Sequence, residues 1–158
     1  MDRLTLDTNV PWELWADTPG QKRDAVVALL ALSQQGKVDL AVTATIDLDI
    51  PHSPLAERVA ELPTVGIKKI GTVARLGTWQ LGRDLLGDDG FVTWSEGLGR
   101  TQPDSRDFDH LHAHMLHDRT HFLTWEKSIL NLAGDLSKLW GINVYRPDDY
   151  LDSRFPGI

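Results

Sequence analysis

Apolar and polar positions along the chain alternate between two periods, and the alternation predicts strands separated by helices. Leu4-Thr5-Leu6 is a short strand that ends at Asp7-Thr8-Asn9, with Val10 and Pro11 leading into a helical turn. Ala25, Val26, Leu29 and Leu30 recur at helical spacing, which predicts a buried helix over 21–35 with Gly36 just past its end. Residues 38–42 form a second strand, with Thr43 at its exit. Beyond it, 55–62 resembles a short amphipathic helix, 65–70 a strand and 79–86 a helix, while 88–90 and 97–105 are loop-like. Regular periodicity returns with a helix over 107–118, a strand His121-Phe122-Leu123 ending at Thr124, and a helix over 126–139 stopped by Gly141. A last strand over 142–145 meets Pro147 and a short C-terminal turn. Strands separated by helices pair in parallel through crossovers, so the expected class is α/β with a mostly parallel central sheet.

The length of 158 residues suits one domain, taken as 1–158 with an irregular, glycine-rich middle over about 51–105. With no cysteine there is neither a disulfide framework nor a thiolate metal site. No apolar run approaches the ~20 residues that span a bilayer, and Met1-Asp2-Arg3-Leu4 lacks the basic start of a secretion signal. A cytoplasmic protein without a membrane partner is expected. The 16 Lys and Arg against 23 Asp and Glu leave a net charge of -7, which disfavours a broad electrostatic grip on nucleic acid. Carboxylates gathered around a cation would produce the same balance.

In an open parallel sheet ligands bind beyond the carboxyl ends of the strands. Those ends carry Asp7, then Thr43 with Asp47 and Asp49 soon after, then Thr124 with Glu126, and the helix before the third of these strands begins near Asp107. An all-oxygen acidic cluster of this kind becomes favourable when Mg²⁺ or Mn²⁺ occupies it.

These motifs carry a resemblance. Leu4-Thr5-Leu6-Asp7-Thr8-Asn9-Val10, Arg106-Asp107-Phe108-Asp109-His110-Leu111, His121-Phe122-Leu123-Thr124-Trp125-Glu126-Lys127 and Tyr145-Arg146-Pro147-Asp148-Asp149-Tyr150-Leu151 together resemble the PIN-domain family, in order and in spacing. The likeness covers roughly 3–49 and 106–151 and is weak between. It implies a three-layer α/β/α sandwich and an Mg²⁺- or Mn²⁺-dependent endoribonuclease, with the toxin of a VapC-type toxin–antitoxin pair as one form. It also implies an RNA substrate, an antitoxin partner and a homodimer. Asp7, Asp49, Asp107 and Glu126 match the four catalytic acids, with Asp7, Asp107 and Glu126 as metal ligands. Thr8, Asn9, Thr124 and His110 match supporting positions.

Asp47 is an alternative to Asp49, and Asp109 to Asp107. Asp109 lies about 200° round the helix from Asp107, so the two cannot face one site, and Asp107 is preferred. The sequence departs from the family pattern twice, with Asp49 where Glu is usual and Glu126 where Asp is usual. The departures support the alternative of a non-catalytic RNA- or protein-binding module with a degenerate acidic site.

Three other features stand out. His110, His114 and His117 share one helical face with Asp107, which reads either as a metal site or as polar packing around the acidic edge. Trp12, Trp15 and Trp125 follow strand exits, where they stack on bases or fill the core. Lys68, Lys69, Arg75 and Arg83 form the basic-leaning stretch, a guide for RNA or a solvated face.

Overall fold

The structure is a computed structural model, described for residues 1–16, 19–49, 56–73, 84–85 and 105–158. Its strands are β1 (Asp2–Leu6), β2 (Val38–Thr43), β3 (Ile67–Ile70), β4 (Thr72–Val73), β5 (Asp84–Leu85), β6 (His121–Leu123) and β7 (Asn143–Tyr145). Five of them form one sheet in the order β3-β2-β1-β6-β7, and every pairing is parallel. A small parallel ladder joins β4 to β5. The helices are α1 (Gln21–Gln34), α2 (Ile46–Asp49), α3 (Ala56–Val59), α4 (Ser105–Leu116), α5 (Lys127–Asn131), α6 (Ala133–Trp140) and α7 (Pro147–Arg154), with 3-10 turns at Pro11–Trp15 and Leu62–Val65. Among the described residues, no helix is long and apolar enough to cross a membrane.

Strand residues alternate between the sheet's two faces, and each face has its own core. Leu4, Leu6, Leu40, Val42 and Leu123 pack on one face with Val26 and Leu29 of α1 and Tyr150 and Leu151 of α7. Phe122 and Val144 pack on the other with Leu111 of α4 and Leu136 of α6. The result is the expected three-layer α/β/α sandwich. The chain runs outward from β1 through β2 to β3, then returns to the other side of β1 for β6 and β7. The gap between β1 and β6 is therefore the switch in strand order, where a cleft opens beyond the strand ends.

The structure corrects several boundaries. The helix expected over 126–139 is two helices, because Leu132 caps α6 and Asn131 and Gly134, both poor helix formers, flank the break. The helix over 55–62 shortens to α3, and Pro63, with no backbone donor, turns the chain into a 3-10 segment instead. The next strand begins only at Ile67, because Gly66 turns the chain at φ 88°. The second strand runs one residue further than expected, with Thr43 as the last residue of β2. The C-terminal turn is the helix α7, opened by Pro147 with Asp148 and Asp149 in its first turn, where carboxylates suit the helix dipole. The predicted helix over 79–86 fails at Asp84–Leu85, which is strand, and the rest of it lies outside the described residues. So do the loop over 88–90, all but the last residue of the one over 97–105, and Arg75 and Arg83. Gly36 and Gly141 stand at φ 68° as helix-terminating glycines, as the sequence implies.

Candidate functional site

A cleft of about 350 Å³ opens at the switch point, and Asp7, Asp49, Asp107 and Glu126 all line it. Thr8, Asn9 and His110 line it with them, and Trp12 and Arg106 complete the wall. The alternatives Asp47 and Asp109 are not part of it. Asp47 faces outward, with Lys69 Nζ 2.8 Å and 3.0 Å from its two oxygens.

Asp7 follows β1 directly and is buried. Its Oδ1 accepts the Thr8 backbone N–H at 2.7 Å. Its Oδ2 accepts the Asn9 side-chain amide at 2.8 Å and the Thr124 hydroxyl at 2.5 Å. Thr124, at the end of β6, also accepts the Glu126 backbone N–H at 2.8 Å. The carboxylate beyond β1 is thus tied to the segment beyond β6, and its rotamer is fixed from both sides. Thr8, Asn9 and Thr124 are the residues that hold it.

Asp49 ends the single turn of α2 and meets His110 of α4 across the cleft. His110 Nε2 lies 3.0 Å from Asp49 Oδ2 and 3.3 Å from the Thr8 hydroxyl, and His110 Nδ1 lies 2.6 Å from the Thr43 hydroxyl. The Thr8 hydroxyl also donates to Asp49 Oδ2, and Arg106 Nη1 stands 3.7 Å from Asp49 Oδ1. Burial alone pushes the His110 pKa down, but the Asp49 hydrogen bond and the charges of Asp7, Asp49 and Asp107 more than reverse this, so it is raised. Burial likewise pushes Asp49 up, and His110, Thr8 and Arg106 overturn that, so its pKa is lowered. Both shifts favour an imidazolium–carboxylate pair inside the cleft, with both ring nitrogens donating.

Glu126 caps α5: its Oε1 accepts from the Ser128 backbone N–H at 3.3 Å and the Ser128 hydroxyl at 3.2 Å. The residue lines the cleft while serving its own helix.

The donors fit Mg²⁺ or Mn²⁺ in kind, being oxygen ligands of hard character. Their orientation is a separate matter. Among the described residues, no three His, Asp or Glu side chains stand close enough to hold a metal ion. Asp7 and Asp49 point oxygens at hydroxyl, amide and imidazole donors and Glu126 gives Oε1 to Ser128, so an ion would share these carboxylates with the partners they have.

The histidine face of α4 is polar packing. His114 Nδ1 is 2.9 Å from the Thr5 hydroxyl, and His117 Nε2 is 3.0 Å from the Gly71 carbonyl. Together with Thr43 under His110, these partners give each of the three histidines a separate anchor. The lysines of the basic-leaning stretch are paired as well, Lys68 with Asp39 at 2.9 Å and Lys69 with Asp47. Sequence reasoning did not assign Arg106 to the cleft. Its position immediately before Asp107 at the start of a helix was the available signal.

No family model matches this chain, and no curated protein matches it.

Proposed function

We propose that the protein is a divalent-metal-dependent endoribonuclease of PIN type that hydrolyses RNA phosphodiester bonds. The observation that carries the reading is the convergence of four acidic residues, from four separate segments, on one cleft at the switch in strand order. Asp7, Asp107 and Glu126 would hold Mg²⁺ or Mn²⁺. When bound, such an ion supplies an activated water and neutralises charge on the phosphodiester. The chain's own groups prepare the site. Thr124, Asn9 and the Thr8 amide hold Asp7 in one orientation, and His110 keeps Asp49 ionised. Arg106 offers a cation to a phosphate oxygen. The products implied by the resemblance are a 3′-hydroxyl and a 5′-phosphate.

The test is cleavage of RNA with Mg²⁺ or Mn²⁺ by wild type, Asp7→Asn and Asp107→Asn. Loss of activity in both variants is expected, and equal activity in all three refutes the reading. The resemblance extends the proposal to a toxin with an antitoxin partner, working as a homodimer in the cytoplasm. A second reading, a non-catalytic RNA- or protein-binding module, is favoured by the Ser128 contacts that hold Glu126 as a helix cap. Calorimetric titration with Mn²⁺ separates the two, since no heat at millimolar metal in wild type or Asp7→Asn favours the module.

A further inference from the structure

We infer that the Trp12 indole is the surface on which one base of the RNA strand stacks beside the cleavage site, so that the substrate is single-stranded at that nucleotide. This rests on the nuclease reading of the cleft.

Trp12 is the aromatic side chain among the residues lining the acidic cleft. Pro11 opens the 3-10 turn that carries it, five positions after Asp7 in the chain. The ring is half-buried, packed against the core on one side and tilted 46° to Trp15 at a centroid distance of 5.5 Å. Backing by the core and by a second indole holds the ring still, so a base stacking on it loses little further conformational freedom to the protein. Trp125, which follows the exit of β6, already carries the Lys22 ammonium 5.1 Å from its ring centroid.

The charge of the protein favours such a surface over a purely ionic grip. The protein carries a net charge of -7, and four carboxylates line the cleft against Arg106 and His110. Counterion release, which supplies most affinity for nucleic acid in basic proteins, is weak here. Stacking is indifferent to that charge and tolerant of sequence. Bases within a duplex are stacked on one another and offer no face to an indole, so the platform selects unpaired nucleotides.

The experiment uses an unstructured oligoribonucleotide and a set of copies with one abasic nucleotide at successive positions. Each is tested with wild type, Trp12→Leu and Trp12→Phe, whose urea midpoints verify folding. In wild type one abasic position is expected to raise KM about tenfold. Trp12→Leu should show a similar rise on the intact strand, greater on KM than on kcat, and no further penalty from the abasic nucleotide. Trp12→Phe should restore most of the affinity. An abasic penalty that survives in Trp12→Leu, or an unchanged KM, overturns the inference and leaves the nuclease reading standing. If wild type cleaves no RNA, the nuclease reading fails, and quenching of tryptophan fluorescence by the same oligonucleotides decides the inference. Quenching lost both in Trp12→Leu and with the abasic strand upholds it, and quenching indifferent to Trp12 overturns it.

Discussion

Replacing His114 with Gln should change how stability depends on pH. His114 is 2% exposed, its Nδ1 is 2.9 Å from the Thr5 hydroxyl, and its ring stands edge-on to Phe122 at 5.8 Å. Burial, helped by the positive charges of Arg119 and His121, lowers its pKa from 6.5 to about 3. Between those values the unfolded chain takes up a proton that the folded protein refuses. Its contribution is therefore intact above 6.5 and is lost as the pH falls toward about 3. Linkage with these two values gives a loss of about 2 kcal/mol between about pH 7 and pH 5. His110 acts in the opposite sense. Its raised pKa gives stability that is fully present below its unfolded value of 6.5 and is lost as the pH rises through the raised one. It is common to wild type and variant, so it cancels in their difference. Urea unfolding of both proteins, at about pH 7 and about pH 5, isolates the His114 contribution. His114→Gln should be less stable at the higher pH by about 1–3 kcal/mol from lost packing and hydrogen bonding. That deficit should shrink by about 2 kcal/mol at the lower pH. A deficit equal at both values, within about 0.5 kcal/mol, refutes the assignment of His114 as a buried neutral imidazole.

Further outcomes follow from the same geometry. Thr124→Val removes a fully buried hydroxyl that bonds Asp7 and the Glu126 amide, so thermal unfolding should show a loss of about 1–3 kcal/mol. Arg119→Met frees the Leu4 carbonyl, held at 2.7 Å, and the Asp39 carbonyl and carboxylate. Urea unfolding should register a cost of about 3 kcal/mol, because the two carbonyls lose this donor, although Lys68 still pairs the Asp39 carboxylate. Glu126→Gln keeps an oxygen to cap α5, so its stability should stay within about 0.5 kcal/mol of wild type while Mn²⁺ affinity falls; Glu126→Ala should cost about 1 kcal/mol as well. Millimolar Mg²⁺ should raise Tm in wild type and not in Asp7→Asn, and equal shifts in both would remove Asp7 from the metal site.

What was legible in the sequence is what depends on neighbours along the chain. Strand parity placed Leu4 and Leu6 in one core, and the Asp7-Thr8-Asn9 and Thr124-Trp125-Glu126 endings placed their side chains at the carboxyl edge. Choosing between Asp47 and Asp49 required partners from elsewhere. The two lie on opposite sides of the single turn of α2, and Lys69 of β3 claims one while His110 of α4 claims the other. The spacing of Glu126 to Thr124 brings it to the cleft, but not the second contact it makes there, with Ser128 two residues on, which engages it as a helix cap.

The histidines make the same point most sharply. Their spacing reports that His110, His114 and His117 share one helical face, the last of them just past the end of α4, and it is silent on what that face meets. Sheet order supplies the answer. With β1 beside β2, Thr5 and Thr43 both present hydroxyls on the face that α4 covers. The Gly71 carbonyl, just beyond β3, lies under His117. A face that could have gathered one ion is instead divided among three oxygens from three segments. Only His110, at the carboxyl edge, is left with a nitrogen turned to a carboxylate. The chemistry of the stripe is therefore set by the strand permutation, and its one member in the cleft is the hydrogen-bond partner of Asp49.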